Sequence, residues 1–241
     1  MNLLSHFPFP NRSIQILWAL LAVSVFAPGC GLHRPTPLDP GKLPSALQTQ
    51  PRIPDHFTTR AVLTLPDAIP PGGSLQLAGL VSKGQGLRLA ALSPMGTPLF
   101  EMLATPGLVQ IREAETGKEQ KTRSLETLTR KTLGLALSME EFTHLLAGEF
   151  PLPPWTAVVS EAPDVFLLHE GRHLRARLVL DAQGEILRME RIHRGVPLYA
   201  LTSLSKAPRI WAIESGDHAF RLRIRYMEVL PGIGADRFLL P

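Results

Sequence analysis

The residues best typed and spaced for chemistry are His169-Glu170-Gly171-Arg172-His173, which match H-E-x-x-H. That spacing makes a zinc hydrolase only on a helix, where both imidazoles share one face and the Glu stands beside the metal-bound water. Here Phe166-Leu167-Leu168 precedes the motif, an alternating Arg/Leu run follows it, and Gly171 sits inside it. The pattern predicts strand, Glu-Gly turn, strand, with the histidines in a hairpin and no third ligand following. An exposed turn is expected in place of a metalloprotease. His144 lies one helical turn from Glu140 and Glu141. An acid–base dyad and plain surface electrostatics both fit that spacing, and the second is the simpler expectation. Gly-x-Ser-x-Gly, a P-loop and Gly-x-Gly-x-x-Gly are absent from the sequence. The expectation is a protein that is not an enzyme, with no catalytic residue, no metal and no cofactor.

The elements that must position any other site begin after a targeting segment. Arg12 is a sparse positive n-region, and Ile14–Phe26 is an apolar h-region too short to span a bilayer comfortably as a helix. Ala27-Pro28-Gly29-Cys30 follows. A small residue before a cysteine, after an h-region, resembles a bacterial lipobox, with Ala27 where Leu is preferred. The resemblance implies a signal peptide over 1–29 and a diacylated Cys30. The alternatives are ordinary secretory cleavage or an uncleaved anchor. Gly31 rather than Asp after the cysteine implies the periplasmic face of the outer membrane. Cys30 is the one cysteine of the chain, which excludes intramolecular disulfides and clustered thiolate metal sites. Six prolines over 30–54 (Pro35, Pro37, Pro40, Pro44, Pro51 and Pro54) predict an extended tether.

Residues 55–241 are long enough for one domain with a sizeable core. Phe57–Leu65 and Ser74–Ser82 alternate as strands, and Pro70-Pro71-Gly72-Gly73 is a turn between them. The organising stretch is Arg88–Ile111, read as three short strands. Ser93-Pro94-Met95-Gly96-Thr97-Pro98 makes its first reversal: Pro94 presets φ and Gly96 accepts a positive φ. Met95 is an apolar residue where a polar tip is expected. It either folds back on its hairpin or stands out toward lipid. Glu113–Arg123 reads as an exposed turn. Ser124–Leu137 has helical spacing, and Ser138 with Glu141 is a capping box ahead of a second apolar stripe, Met139, Phe142, Leu145 and Leu146. Six strands follow: Val165–His169, Leu174–Asp181, Ile186–Arg194, Leu198–Ser205, Ile210–Glu214 and Ala219–Leu230. In the last, Arg221, Arg223 and Arg225 share one face and Phe220, Leu222, Ile224 and Tyr226 the other.

Strand, Pro-apolar-Gly, strand, Pro-Gly, strand is an order that resembles the central hairpins of LolB-like outer-membrane lipoprotein receptors, within the LolA/LolB-like lipoprotein-carrier fold. Thr59-Arg60-Ala61 also resembles the first strand of those domains. The resemblance covers most of the chain after the signal segment. With the alternation above, it implies an α+β domain: an incomplete, half-open antiparallel β-barrel of about ten strands under a lid of short helices. It also implies that Pro94, Met95 and Gly96 form a membrane-probing loop that helps deliver lipoprotein. The chain departs from the pattern in its second helix, where His144-Leu145-Leu146 stands in place of a Trp. Trp155, just beyond, is the candidate to fill that space.

The function expected is a membrane-anchored lipoprotein that binds acyl chains of lipoproteins or lipids and takes part in their transfer to the outer membrane. A periplasmic lipoprotein carrier is the implied protein partner. Leu77, Leu89, Leu99, Leu103, Leu128, Phe142 and Leu146 are the candidate cavity lining, with ordinary core as their plainer reading. The other function class is a structural or accessory envelope lipoprotein that uses the sheet for protein contacts. A filled interior would favour it, and an aliphatic cavity the first. The chain has 25 Lys+Arg against 21 Asp+Glu, net +4. Arg172, Arg175, Arg177, Arg188, Arg191 and Arg194 gather in one predicted hairpin, suited to anionic headgroups or an acidic partner. A solvated sheet face is the plainer expectation. Nucleic acid is not an expected partner.

Overall fold

The computed structural model describes residues 36–39, 42–48, 52–66 and 73–238. Cys30 and the expected signal segment lie outside them. The chain divides into two units, Met1–Thr36 and Pro37–Pro241, and the second holds the fold. Among the described residues no helix is long and apolar enough to cross a membrane.

Period-two alternation builds one antiparallel sheet. Its strands are β1 (His56–Thr64), β2 (Ser74–Ser82), β3 (Gly86–Leu92), β4 (Pro98–Thr105), β5 (Leu108–Glu113), β6 (Glu119–Thr122), β7 (Ala157–Ala162), β8 (Val165–Glu170), β9 (His173–Leu180), β10 (Ile186–His193), β11 (Val196–Lys206), β12 (Arg209–Ser215) and β13 (His218–Val229). The spatial order is β6-β5-β4-β3-β2-β1-β13-β12-β11-β10-β9-β8-β7. The first six strands walk from the middle of the sheet to one edge. A helical segment, 123–156, then carries the chain to the opposite edge, and the last seven walk back until β13 pairs with β1. The two edges, β6 and β7, do not pair, so the barrel is open.

The sheet has 13 strands, where about ten were expected. The two strands that sequence alternation missed are the two edges. β6, Glu-Gln-Lys-Thr, is nearly all exposed, and β7 buries only Val158 and Val159. An edge strand with polar residues on both faces resists pairing with other chains and shows no apolar period. The expected tether also differs. Leu38 donates its N–H to the Val158 carbonyl of edge strand β7 (2.7 Å). A short helix α1 (Ser45–Gln48) buries Leu47, and Leu38 and Leu43 lie against the core. Apolar residues among the prolines thus fold this part of the run onto the domain, because their burial outweighs extended-chain freedom.

Helices α2 (Leu125–Leu133) and α3 (Met139–Leu146) begin where the sequence places them. The Ser124 hydroxyl accepts from the Thr127 N–H. The Ser138 hydroxyl accepts from the Glu141 N–H at 3.1 Å while the Glu141 carboxylate accepts from the Ser138 N–H at 2.9 Å. Such a cap contributes about 1 kcal/mol. Both helices lie across the concave face of the sheet. Three ties hold them there. The Ser215 hydroxyl is 2.8 Å from the Gly134 carbonyl, the Thr59 hydroxyl is 3.2 Å from the Leu146 carbonyl, and Arg191 pairs with Glu141 at 2.9 Å. Gly79 allows the close fit of sheet and helix. A Cβ there would stand 2.9 Å from the Thr59 methyl group and 3.7 Å from Leu146.

A lipid-sized cavity as the candidate functional site

Between the lid and the strands of the first half of the sheet lies a cavity of about 1150 Å³. Its walls are Leu63, Leu75 and Leu77 from β1 and β2, Leu89 from β3, Phe100 and Met102 from β4, and Ile111 from β5. Ile213, Phe220 and Leu222 close it from β12 and β13, and Leu125, Leu128, Leu133 and Phe142 roof it from the helices. Polar groups gather at one end. There Thr97, Glu113, Glu115 and Lys118 belong to the β3–β4 and β5–β6 turns and mark the mouth. The volume exceeds the roughly 300–1,000 Å³ of sites for drug-sized ligands. With mostly apolar walls, Thr129 and Thr132 of α2 and Gln120 of β6 the uncharged polar exceptions, and charge only at the mouth, the space suits a long flexible apolar chain with a polar end.

Of the seven residues expected to line it, Leu77, Leu89, Leu99, Leu128 and Phe142 do. Leu103 and Leu146 do not. Leu146 is fully buried between α3 and the sheet. Leu103 lies opposite Arg88 on the convex face. The pairing of β3 with β4 explains this. It runs Leu89↔Met102 and Ala91↔Phe100, and then shifts so that Leu92 meets Pro98. The regular pairing puts Phe100 and Met102 on the inward face of Leu89 and Ala91 and Leu103 on the other, while the shift at Leu92 leaves Leu99 as an extra residue between Pro98 and Phe100, where it also borders the cavity. Alternation read alone could not include that shift. The signal that could have found it is the turn residue Gly96, whose positive φ of 84° accommodates a tight reversal with an irregular register.

Met95 stands at the tip of the β3–β4 turn, beside the mouth, and is 93% exposed. It does not fold back on its hairpin. The turn is rigidly made: the Gly96 N–H donates to Ser93 O (2.9 Å), the Ser93 N–H to Thr97 O (2.8 Å), and the Gln76 amide to Pro94 O (2.9 Å). Held this way, an apolar side chain is presented to solvent beside the mouth.

The other sequence candidates resolve as local structure. β8 ends at Glu170 and β9 starts at His173, with Glu170 opposite His173 and Gly171 at φ 59°. His169 and His173 therefore sit on two strands of a hairpin and not on one face of a helix. His144 is on α3, half-buried. Burial holds its imidazole below the usual range, against the pull of Glu140 and Glu141. Its Nδ1 has no hydrogen-bond partner among the described residues. Glu141, the nearer carboxylate of the supposed dyad, is committed to its capping role and to Arg191. Trp155 is half-buried against the core, just after the helix.

Most of the basic hairpin is neutralised. Arg175 pairs with Glu170, Arg177 with Glu161 (2.7 Å), Arg188 with Glu214 (2.8 Å) and Arg191 with Glu141. The Glu141–Arg191 pair is mostly buried, with side chains 15% and 16% exposed, and Arg191 also donates to the Arg175 and Ile192 carbonyls. Burying a pair gives little net stability, but removing one partner strands the other charge. The pair thus fixes where α3 sits more than how stable the domain is.

No protein-family profile and no curated protein matches this chain. Solved structures do. A LolA superfamily protein from Nitrosomonas europaea aligns over 78% of this chain and 92% of its own, at 11% identity and a TM-score of 0.50. An outer membrane lipoprotein-sorting protein domain from Vibrio parahaemolyticus aligns over 76% of this chain and 89% of its own, at 13% identity and a TM-score of 0.43. The likeness to the first of these is one of fold: the open antiparallel sheet of this chain follows the fold of that LolA superfamily protein over most of both chains.

Proposed function

We propose that this protein binds acyl chains of lipoproteins or lipids in the cavity and takes part in their transfer to the outer membrane, anchored through a diacylated Cys30. The observation that carries the reading is the cavity itself. An interior built as a plain protein scaffold would be filled, because an empty apolar space forfeits packing on every wall. Here a space of about 1150 Å³ is kept open between the sheet and its helical lid. Each methylene moved from water into it contributes about 0.8 kcal/mol, so a long chain is held without any catalytic or charged group. Leu77, Leu89, Leu99, Phe100, Met102, Leu128 and Phe142 do the holding.

Met95 serves the second half of the task. Burial of a Met side chain is worth about 1.5–3 kcal/mol, enough to guide the mouth to a bilayer and too little to anchor the protein. Anchoring falls to Cys30, on the periplasmic face of the outer membrane. A periplasmic carrier that delivers cargo to the mouth is the corresponding partner.

The test is to extract lipid from the purified full chain and to titrate it with a fluorescent fatty acid. Co-purified acyl chains and binding that is lost in Leu89→Asp with Leu128→Asp support the reading. A full chain that binds the probe no better than this double variant overturns it. Met95→Glu should bind the probe normally and fail to release cargo into liposomes, and normal release would remove Met95 from the mechanism. Intact mass of membrane-extracted protein checks the acylation, and an unmodified Cys30 would refute it.

A further inference from the structure

On the convex face, the outer side of the sheet away from the cavity, we infer a contact line for an anionic bilayer, made by Arg60, Arg221, Arg223 and Arg225. β1 and β13 are neighbours in the middle of the 13-strand order, so they form the crest of the curved sheet. All four arginines are exposed there. Elsewhere the sheet matches its arginines with acids: Arg88 and Arg112 with Glu101, Arg188 with Glu214, Arg191 with Glu141. None of the four crest arginines comes within ion-pair distance of a carboxylate among the described residues, and their cross-strand partners are Thr64, Val62 and Tyr226. Like charges on one strand face repel. No ion pair among the described residues offsets that repulsion.

The shape of the array names the occupant. Alternate residues of a strand stand about 6.7 Å apart, so Arg221 and Arg223 begin a line that Arg225 and Arg60 extend along the strand direction. A convex sheet resting on a plane touches it along its crest, over one or two strands. A line of guanidinium groups at that crest, flanked by half-buried Val62 and Ile210, fits a plane of phosphates, each of which takes a guanidinium fork in two parallel bonds. An acidic protein face would need no such linear array on a crest. In this pose the mouth and Met95 lie to the side, free of the surface. The contact is therefore a resting pose separate from delivery, and it does not depend on acyl-chain binding.

The experiment uses the unacylated full chain, Cys30→Ser, and vesicles of phosphatidylcholine alone or with phosphatidylglycerol as about a third of the lipid. The readout is the ratio of partitioning into anionic over neutral vesicles, in which hydrophobic contributions cancel. One arginine near an anionic surface is worth about fivefold. Arg221→Gln with Arg223→Gln is expected to lower the ratio about 25-fold and leave fatty-acid binding and the thermal melt unchanged. Arg172→Asn with Arg194→Asn, turn residues elsewhere on the sheet, removes the same net charge and is expected to change it less than twofold. Equal losses in the two double variants would show that net charge alone acts, and would overturn the crest. A wild-type chain that does not prefer anionic vesicles overturns the lipid surface and leaves an acidic protein as the occupant.

Discussion

The two halves of the concave face are built from the same kind of strand and end in opposite conditions. Over β7 to β11 the face is solid. Val158, Phe166, Leu168, Leu178, Met189, Tyr199 and Leu201 belong to one continuous core, and none borders the cavity. Leu145 and Leu146 of α3 are fully buried, and Phe150 meets the Trp211 ring edge-on at 4.6 Å. Over β1 to β5 the face is hollow, roofed by α2. The two helices are also fastened differently. α3 is tied to β10 through Glu141–Arg191 and to β1 through Thr59. α2 is tied at its C-terminal end through Ser215 to the Gly134 carbonyl, packs on edge strand β6, and buries Leu125 at its start. The cavity lies under α2, while Leu145 and Leu146 fill the space under α3.

The comparison breaks most clearly by truncation. Trp211→Ala on the solid side should cost about 3–5 kcal/mol of unfolding free energy. Leu89→Ala, on a wall that already borders open volume, should fall near about 2 kcal/mol, the lower end for such changes. Urea unfolding followed by circular dichroism measures both, and equal losses per atom removed would mean that the two sides are packed alike.

Enlargement gives a smaller effect but one that changes sign. Leu201→Phe forces a ring into filled space and should cost about 1–3 kcal/mol. Leu77→Phe places the same ring into the cavity. Its stability should stay level or rise by up to about 1 kcal/mol, while affinity for a fluorescent fatty acid falls. A destabilised Leu77→Phe would show that the cavity closes on itself in solution.

Titration gives the smallest effect. Burial disfavours the charged form of His144, so its folded pKa lies below the unfolded value. That contribution to stability is complete above about pH 6.5, the unfolded value, and is lost as pH falls below it, because the unfolded chain then takes up the proton more readily. The melting temperature should decline from about pH 7.5 to about pH 5.5, and His144→Gln should flatten that slope relative to wild type. An unchanged slope would place His144 in a more solvated site than the packing around α3 implies.

Local rules made much of this protein legible from its residues. The capping box at Ser138 and Glu141 starts α3 because both partners lie within four residues. Pro94 and Gly96 place Met95 at a tip for the same reason. Gly171 makes His169–His173 a hairpin, so the two imidazoles do not share a helix face. Eleven of the thirteen strands announce themselves by alternation, and the two that do not are edges: β6 has no buried residue, and in β7 the two buried residues, Val158 and Val159, are adjacent and do not alternate. Long-range contacts decided the rest. Arg191 finds Glu141 across 50 residues and Arg188 finds Glu214 across 26, so a hairpin that reads as a basic patch is mostly neutral, while the arginines of β13 stay unmatched. Which face of β4 looks inward was set by its pairing with β3, Leu89 opposite Met102 and Ala91 opposite Phe100, which no periodicity records. The lid over the hollow side is likewise joined to the sheet by contacts between residues 50 to 87 apart in the chain, which no local pattern records.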